Sequence, residues 1–84
     1  MSGEITTNAY LDGRLNIRQP AKGYRAGVDP VLLAASAPAL AGQSVLELGC
    51  GVGTASLCLG YRVPGLRLAG VEVQADYAAL AFVN

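Results

Sequence analysis

The chain contains no histidine. That excludes an imidazole general base and any histidine metal ligand from its 84 residues. Only two cysteines are present, Cys50 and Cys58, and their spacing fits no metal-binding pattern. Two thiols do not make a disulfide framework either, so they read as small buried thiols of a reducing, cytoplasmic setting. With no base in the chain to activate it, Cys50 is not a candidate nucleophile. Charge is scarce: six basic and six acidic residues balance to a formal charge of zero, so no global field recruits a polyanion. No apolar run is long enough to span a membrane. The opening Met-Ser-Gly-Glu-Ile-Thr-Thr-Asn lacks the basic and apolar regions of a signal peptide.

What the chain has in excess is apolar surface, with 52% hydrophobic residues. A chain of this length makes one domain at most and buries only about 60% of its unfolded surface, so marginal stability is expected. A small domain this apolar is expected to turn part of that surface towards further chain or a partner, and to self-associate. It reads as a fragment. The basic residues are uneven: Arg14, Arg18, Lys22 and Arg25 precede the first helix, and only Arg62 and Arg67 follow. That grouping is either a solvated face or a phosphate-contacting edge.

Along the chain, residues 1–7 are polar and expected to fray. Asp12-Gly13 between alternating runs predicts a hairpin over 8–19, with Leu15 and Ile17 on one face and Arg14, Asn16 and Arg18 on the other. A loop over 20–27 is marked by Pro20, Gly23 and Gly27. Asp29-Pro30 predicts a helix start, with Asp29 as cap and Pro30 at the first helical position. That helix should run over 29–40 and, being apolar nearly all round, should be well buried. Ser44 to Leu48 predicts a buried strand, Thr54 to Arg62 a helix, Leu66 to Val73 a second buried strand, and Gln74 to the end a second crossover helix with Tyr77, Leu80 and Ala81 at helical spacing. A right-handed crossover makes the two strands parallel neighbours. The fold class is α/β.

The chemistry-bearing segment is Glu47-Leu48-Gly49-Cys50-Gly51-Val52-Gly53. A strand that turns sharply into a helix while its backbone touches a ligand needs glycine, both for positive φ and for close approach. The following helix then aims its first amides at polar or anionic groups. Glu72 closes the second strand 19 residues after Gly53, where a carboxylate can accept two hydrogen bonds from a ribose diol. Dinucleotide enzymes space their third glycine as G-x-G-x-x-G, a position taken here by Thr54. The tighter spacing and the acid Glu47 disfavour a pyrophosphate. They suit S-adenosylmethionine, which carries a sulfonium and an ammonium group and no phosphate.

The same residues resemble motif I of class I S-adenosylmethionine-dependent methyltransferases, and Val71-Glu72-Val73 resembles their acid-ended second strand. Upstream, Gly23-Tyr24-Arg25-Ala26-Gly27-Val28-Asp29-Pro30-Val31-Leu32-Leu33-Ala34 and the hairpin Leu11 to Pro20 are similar to the opening of the tRNA1(Val) (adenine37-N6)-methyltransferase family. The resemblance implies a partial Rossmann-like methyltransferase fold over 1–84: a hairpin (8–19), a helix (29–40), then a cofactor-binding βαβα unit (44–84). It implies S-adenosylmethionine bound by Glu47, Gly49, Cys50, Gly51, Gly53, Glu72 and Val73. The Asp29 segment, with Arg25 and Gly27, would border the pocket, Asp29 serving there or only as a helix cap. A tRNA adenine would be the substrate. The family's Asn-Pro-Pro-Tyr motif, which holds the target amine, is absent, since the chain has no Asn-Pro pair. The chain is therefore expected to be a methyltransferase's first third, truncated before the remaining strands and inactive alone. Another methyltransferase substrate (protein glutamine or rRNA guanine), an NAD-binding oxidoreductase domain and a non-catalytic assembly piece remain as alternatives.

Overall fold

A computed structural model describes residues 3–23 and 25–84; Tyr24 of the upstream segment and the first two residues lie outside them. Strands β1 (Ile5–Tyr10) and β2 (Leu15–Pro20) form an antiparallel hairpin. Helix α1 (Asp29–Ser36) leads to strand β3 (Ser44–Leu48), helix α2 (Thr54–Arg62), strand β4 (Arg67–Val71) and helix α3 (Ala75–Val83). The described residues thus form a small α/β domain with two sheets and three helices.

Strands β3 and β4 pair in parallel, as the crossover argument requires. Their register fixes two faces. Val45 opposite Leu68 and Glu47 opposite Gly70 lie on one face, where Val45 packs with Cys58 and Leu59 of α2. Leu46 opposite Ala69 and Leu48 opposite Val71 lie on the other, which is bare: Leu46, Leu48 and Val71 are 61%, 76% and 50% exposed. The two strands were expected to be buried throughout. Among the described residues the covered face is the one that Val45 turns towards α2.

Among the described residues the core falls into two clusters. Ile17, Val52 and Leu80 join the hairpin to the glycine turn and α3. Ala34, Cys58 and Leu59 join α1 to α2. Arg62 closes the second cluster at its edge, where its guanidinium donates to the Ala34 and Ala37 carbonyls left open at the end of α1. At the chain end, the Asn84 side chain accepts from the Arg18 amide and donates to the Arg18 and Val52 carbonyls, holding β2, α3 and the glycine turn together.

Several expectations need correction. β1 begins at Ile5, so 5–7 are paired strand rather than a frayed end, and the hairpin spans 5–20 instead of 8–19. Its turn is wider than Asp-Gly alone: Leu11, Asp12 and Gly13 all take left-handed φ, and Arg14 donates to the Leu11 carbonyl. Helix α1 stops at Ser36, not 40, because Ala37 precedes a proline and is driven to extended backbone. Only Ala34 of α1 is buried; Leu32 and Leu33 are 58% and 57% exposed. Val28 is the α1 cap residue and Asp29 makes no side-chain capping bond. Strand β4 covers Arg67–Val71, shorter than predicted, because its ladder ends where β3 ends. Gln74 caps α3 instead of beginning it. Cys58 is buried as expected, but Cys50 is only half-buried. The predicted faces of β2 and α3 are observed: Ile17 and Leu80 are buried, with Leu15, Tyr77 and Ala81 half-buried beside them.

Candidate functional site

The chain leaves β3 and re-enters α2 through three glycines with φ of +69°, +57° and +94° at Gly49, Gly51 and Gly53. A Cβ at Gly49 or Gly51 would meet nothing within 4 Å. These positions need glycine for their left-handed backbone, not for lack of room, and the space beside them is open to a ligand. The Gly49 and Cys50 amides both donate to the Val71 carbonyl, at 2.7 and 3.1 Å, which extends the sheet ladder into the turn.

Glu72 ties the two strand ends together. Its Oε1 accepts the Gly51 amide and its Oε2 the Gln74 amide, each at 2.9 Å. Those bonds, Gln74 first and Gly51 second, hold the carboxyl below the usual carboxylate range, against a smaller opposing effect of burial. Glu47 lies one strand away, and its Oε1 accepts the Ser56 hydroxyl at 2.6 Å. The Cys50 thiol is pushed up by burial and then by the Glu47 and Glu72 charges, so it stays protonated and poorly nucleophilic.

A cavity of about 280 Å³ opens at this turn. The glycine turn and both glutamates form one wall, Ala26 and Pro30 a second, and Gln74 and Tyr77 a third. Thr54, the first residue of α2, lines it while only 3% exposed. Its Oγ1 is buried without a hydrogen-bond partner among the described residues. Such a hydroxyl is costly to leave unmet.

Of the residues singled out from sequence, Glu47, Gly49, Cys50, Gly51 and Glu72 meet at this cavity. Gly53 lines a neighbouring cavity of about 390 Å³ between α2, β4 and α3. Val73, 94% exposed, and Asp29 line neither. Arg25 turns away, its guanidinium donating to Thr6, Asn8 and the Pro20 carbonyl. Gly27 lies on a shallow cleft beside Asn8 and Val28. Sequence reading missed Ala26, Pro30, Thr54, Gln74 and Tyr77. Thr54 was accessible, since it follows the last glycine directly. Ala26 and Pro30 lie in the upstream segment expected to border the pocket, beside the Arg25 and Asp29 that were named instead.

Among the described residues, no group of histidine, cysteine, aspartate and glutamate side chains could hold a metal ion, and no helix is long and apolar enough to cross a membrane. No family model matches the chain, and no curated protein matches it.

Proposed function

We propose that the chain is the cofactor-binding part of an S-adenosylmethionine-dependent N-methyltransferase of Rossmann-like fold, with a tRNA adenine N6 as the methylated group. One observation carries the reading: the described lining of the cavity holds two carboxylates, Glu47 and Glu72, and no basic side chain. A pyrophosphate would be repelled there, whereas a sulfonium and an ammonium group gain from it. Glu72 is held as a carboxylate and accepts from a ribose diol. Glu47 faces the cationic end. The Gly49 to Gly53 backbone gives close approach, and the Thr54 hydroxyl offers an unmet hydrogen bond.

Bound there, S-adenosylmethionine supplies an electrophilic methyl group. The chain's own residues bind and orient it and add no acid or base. No Asn-Pro pair occurs in these 84 residues, so the amine-holding motif is not among them, and the chain alone transfers no methyl group. Arg14, Arg18 and Lys22 are exposed on or beside the hairpin, which supports a phosphate backbone as partner. Another nucleic acid or a protein glutamine would use the same cofactor cavity.

Thermal unfolding with added ligand tests the reading, since only a ligand that binds the folded state raises the midpoint. S-adenosylhomocysteine raises it and NADH does not; the reverse order assigns the cavity to a dinucleotide. The bare face of Leu46, Leu48 and Val71 favours a second property, self-association of this chain. Light scattering at micromolar concentration reads it directly, and a clean monomer mass contradicts it.

A further inference from the structure

Ala26 forms part of the cavity wall, and both of its backbone polar groups are taken by hairpin side chains. Its amide donates to Gln19 Oε1 at 2.9 Å. Its carbonyl accepts the Tyr10 hydroxyl at 2.8 Å. Gln19 Nε2 in turn donates to the Tyr10 oxygen at 3.1 Å, which closes a ring of three hydrogen bonds. The same nitrogen donates to Asn8 Oδ1 at 3.0 Å. Gln19 is 2% exposed. A glutamine is costly to bury unless its amide is satisfied, and here its partners include the backbone of one wall residue. The neighbouring Arg25 side chain is pinned to the same strands through Thr6, Asn8 and Pro20. A Cβ at Gly23, three residues before Ala26, would sit 3.0 Å from the hydroxyl of Tyr77, another lining residue.

We infer that Gln19 and Tyr10 are positioning residues for the cavity, holding the Ala26 wall at the distance a bound ligand requires. The hairpin acts as a brace for the site as well as a piece of the core. This inference rests on the reading of the cavity as a cofactor site. Neither residue touches the cavity, so each acts through the Ala26 backbone. A fully bonded network of this kind is rigid, and a rigid wall lowers the ordering cost of binding.

The test uses the full chain with Tyr10→Phe and Gln19→Met, which remove hydrogen bonds while keeping bulk. The control is Leu59→Val, which trims the second core cluster, away from the cavity lining, and leaves the ring intact. Titration with S-adenosylhomocysteine is expected to weaken by about five- to tenfold in each ring variant, the effect of one or two neutral hydrogen bonds. Exchange of the Ala26 amide speeds up in both. The control keeps wild-type affinity despite a lower melting temperature, a separation that a merely structural role would not produce. Tyr10→Phe is the milder change and serves if Gln19→Met does not fold. Ring variants that fold and bind like the wild type overturn the positioning role and leave the cofactor reading standing. A wild-type chain with no affinity for S-adenosylhomocysteine overturns the cofactor reading, and this role with it. An Ala26 amide as protected in both variants as in the wild type overturns the ring itself.

Discussion

Glu72 and Gly51 meet through one charge-assisted hydrogen bond, Oε1 to amide, at 2.9 Å across 21 residues of chain. It joins the turn after β3 to the end of β4, so the carboxylate shapes the glycine turn before any ligand arrives. Replacing Glu72 with alanine removes this bond and the one from Gln74. The acceptor offered to the ribose diol goes with them, so S-adenosylhomocysteine affinity is expected to fall by about tenfold or more. Glu72→Gln keeps one acceptor oxygen and should fall between. Calorimetric titration of the three proteins checks the order.

The same bonds set a pH dependence. A carboxyl held below its ordinary range is more acidic folded than unfolded. The stability it adds is fully present above the unfolded value and is lost as pH falls through the depressed folded value. The Gly51 amide resonance should therefore stay constant from neutral pH down through the usual carboxylate range and move only below it. A midpoint at or above that range would falsify the Glu72 bonding scheme.

Gly70 predicts a different kind of coupling. A Cβ there would lie 2.7 Å from Cys50 Sγ and 2.9 Å from its Cβ. Gly70→Ala therefore overpacks the junction of sheet and turn, at a cost of about 1–3 kcal/mol. Adding Cys50→Gly removes both offending atoms. Denaturant unfolding of the four members of that cycle should show the double variant recovering stability relative to Gly70→Ala plus the separate Cys50→Gly cost. Strict additivity counts against the observed contact.

Asn84 offers a test of how the turn is anchored from behind. Its side-chain amide brackets the Arg18 amide and carbonyl and also reaches the Val52 carbonyl. Asn84→Ala loses all three bonds and should destabilise the chain by about 1–3 kcal/mol. Asn84→Asp keeps the acceptor for Arg18 and loses both donations. Hydrogen exchange at Arg18 should rise in the alanine variant and change less in the aspartate variant.

Which parts of this were legible in the sequence follows from how local their causes are. Strand Ser44–Leu48 and helix Thr54–Arg62 have the predicted bounds because glycine on one side and proline-glycine on the other punctuate them. The meeting of Glu47, Glu72 and the glycine turn follows from one parallel pairing, which two strands and a crossover helix dictate. The bare face of Leu46 and Leu48 was not legible, since an apolar run does not say which of its faces a helix will cover. Gln19 read as the end of a strand; its burial depends on Tyr10 and Asn8 arriving from β1 and Ala26 from the segment before α1. Asp29 was the plausible helix cap by residue type, yet Val28 holds that position and the Asp29 side chain makes no cap.

The central claim is that the cavity at Gly49 and Gly51 accepts a phosphate-free adenosine ligand that carries an amino-acid ammonium group. Paired calorimetric titrations of the wild-type chain with S-adenosylhomocysteine and with NADH test it most directly. Measurable binding of S-adenosylhomocysteine, weaker or absent binding of NADH, and a loss of the first on Glu72→Ala are the predicted results. Tighter binding of NADH, or S-adenosylhomocysteine affinity that ignores Glu72→Ala, contradicts the account.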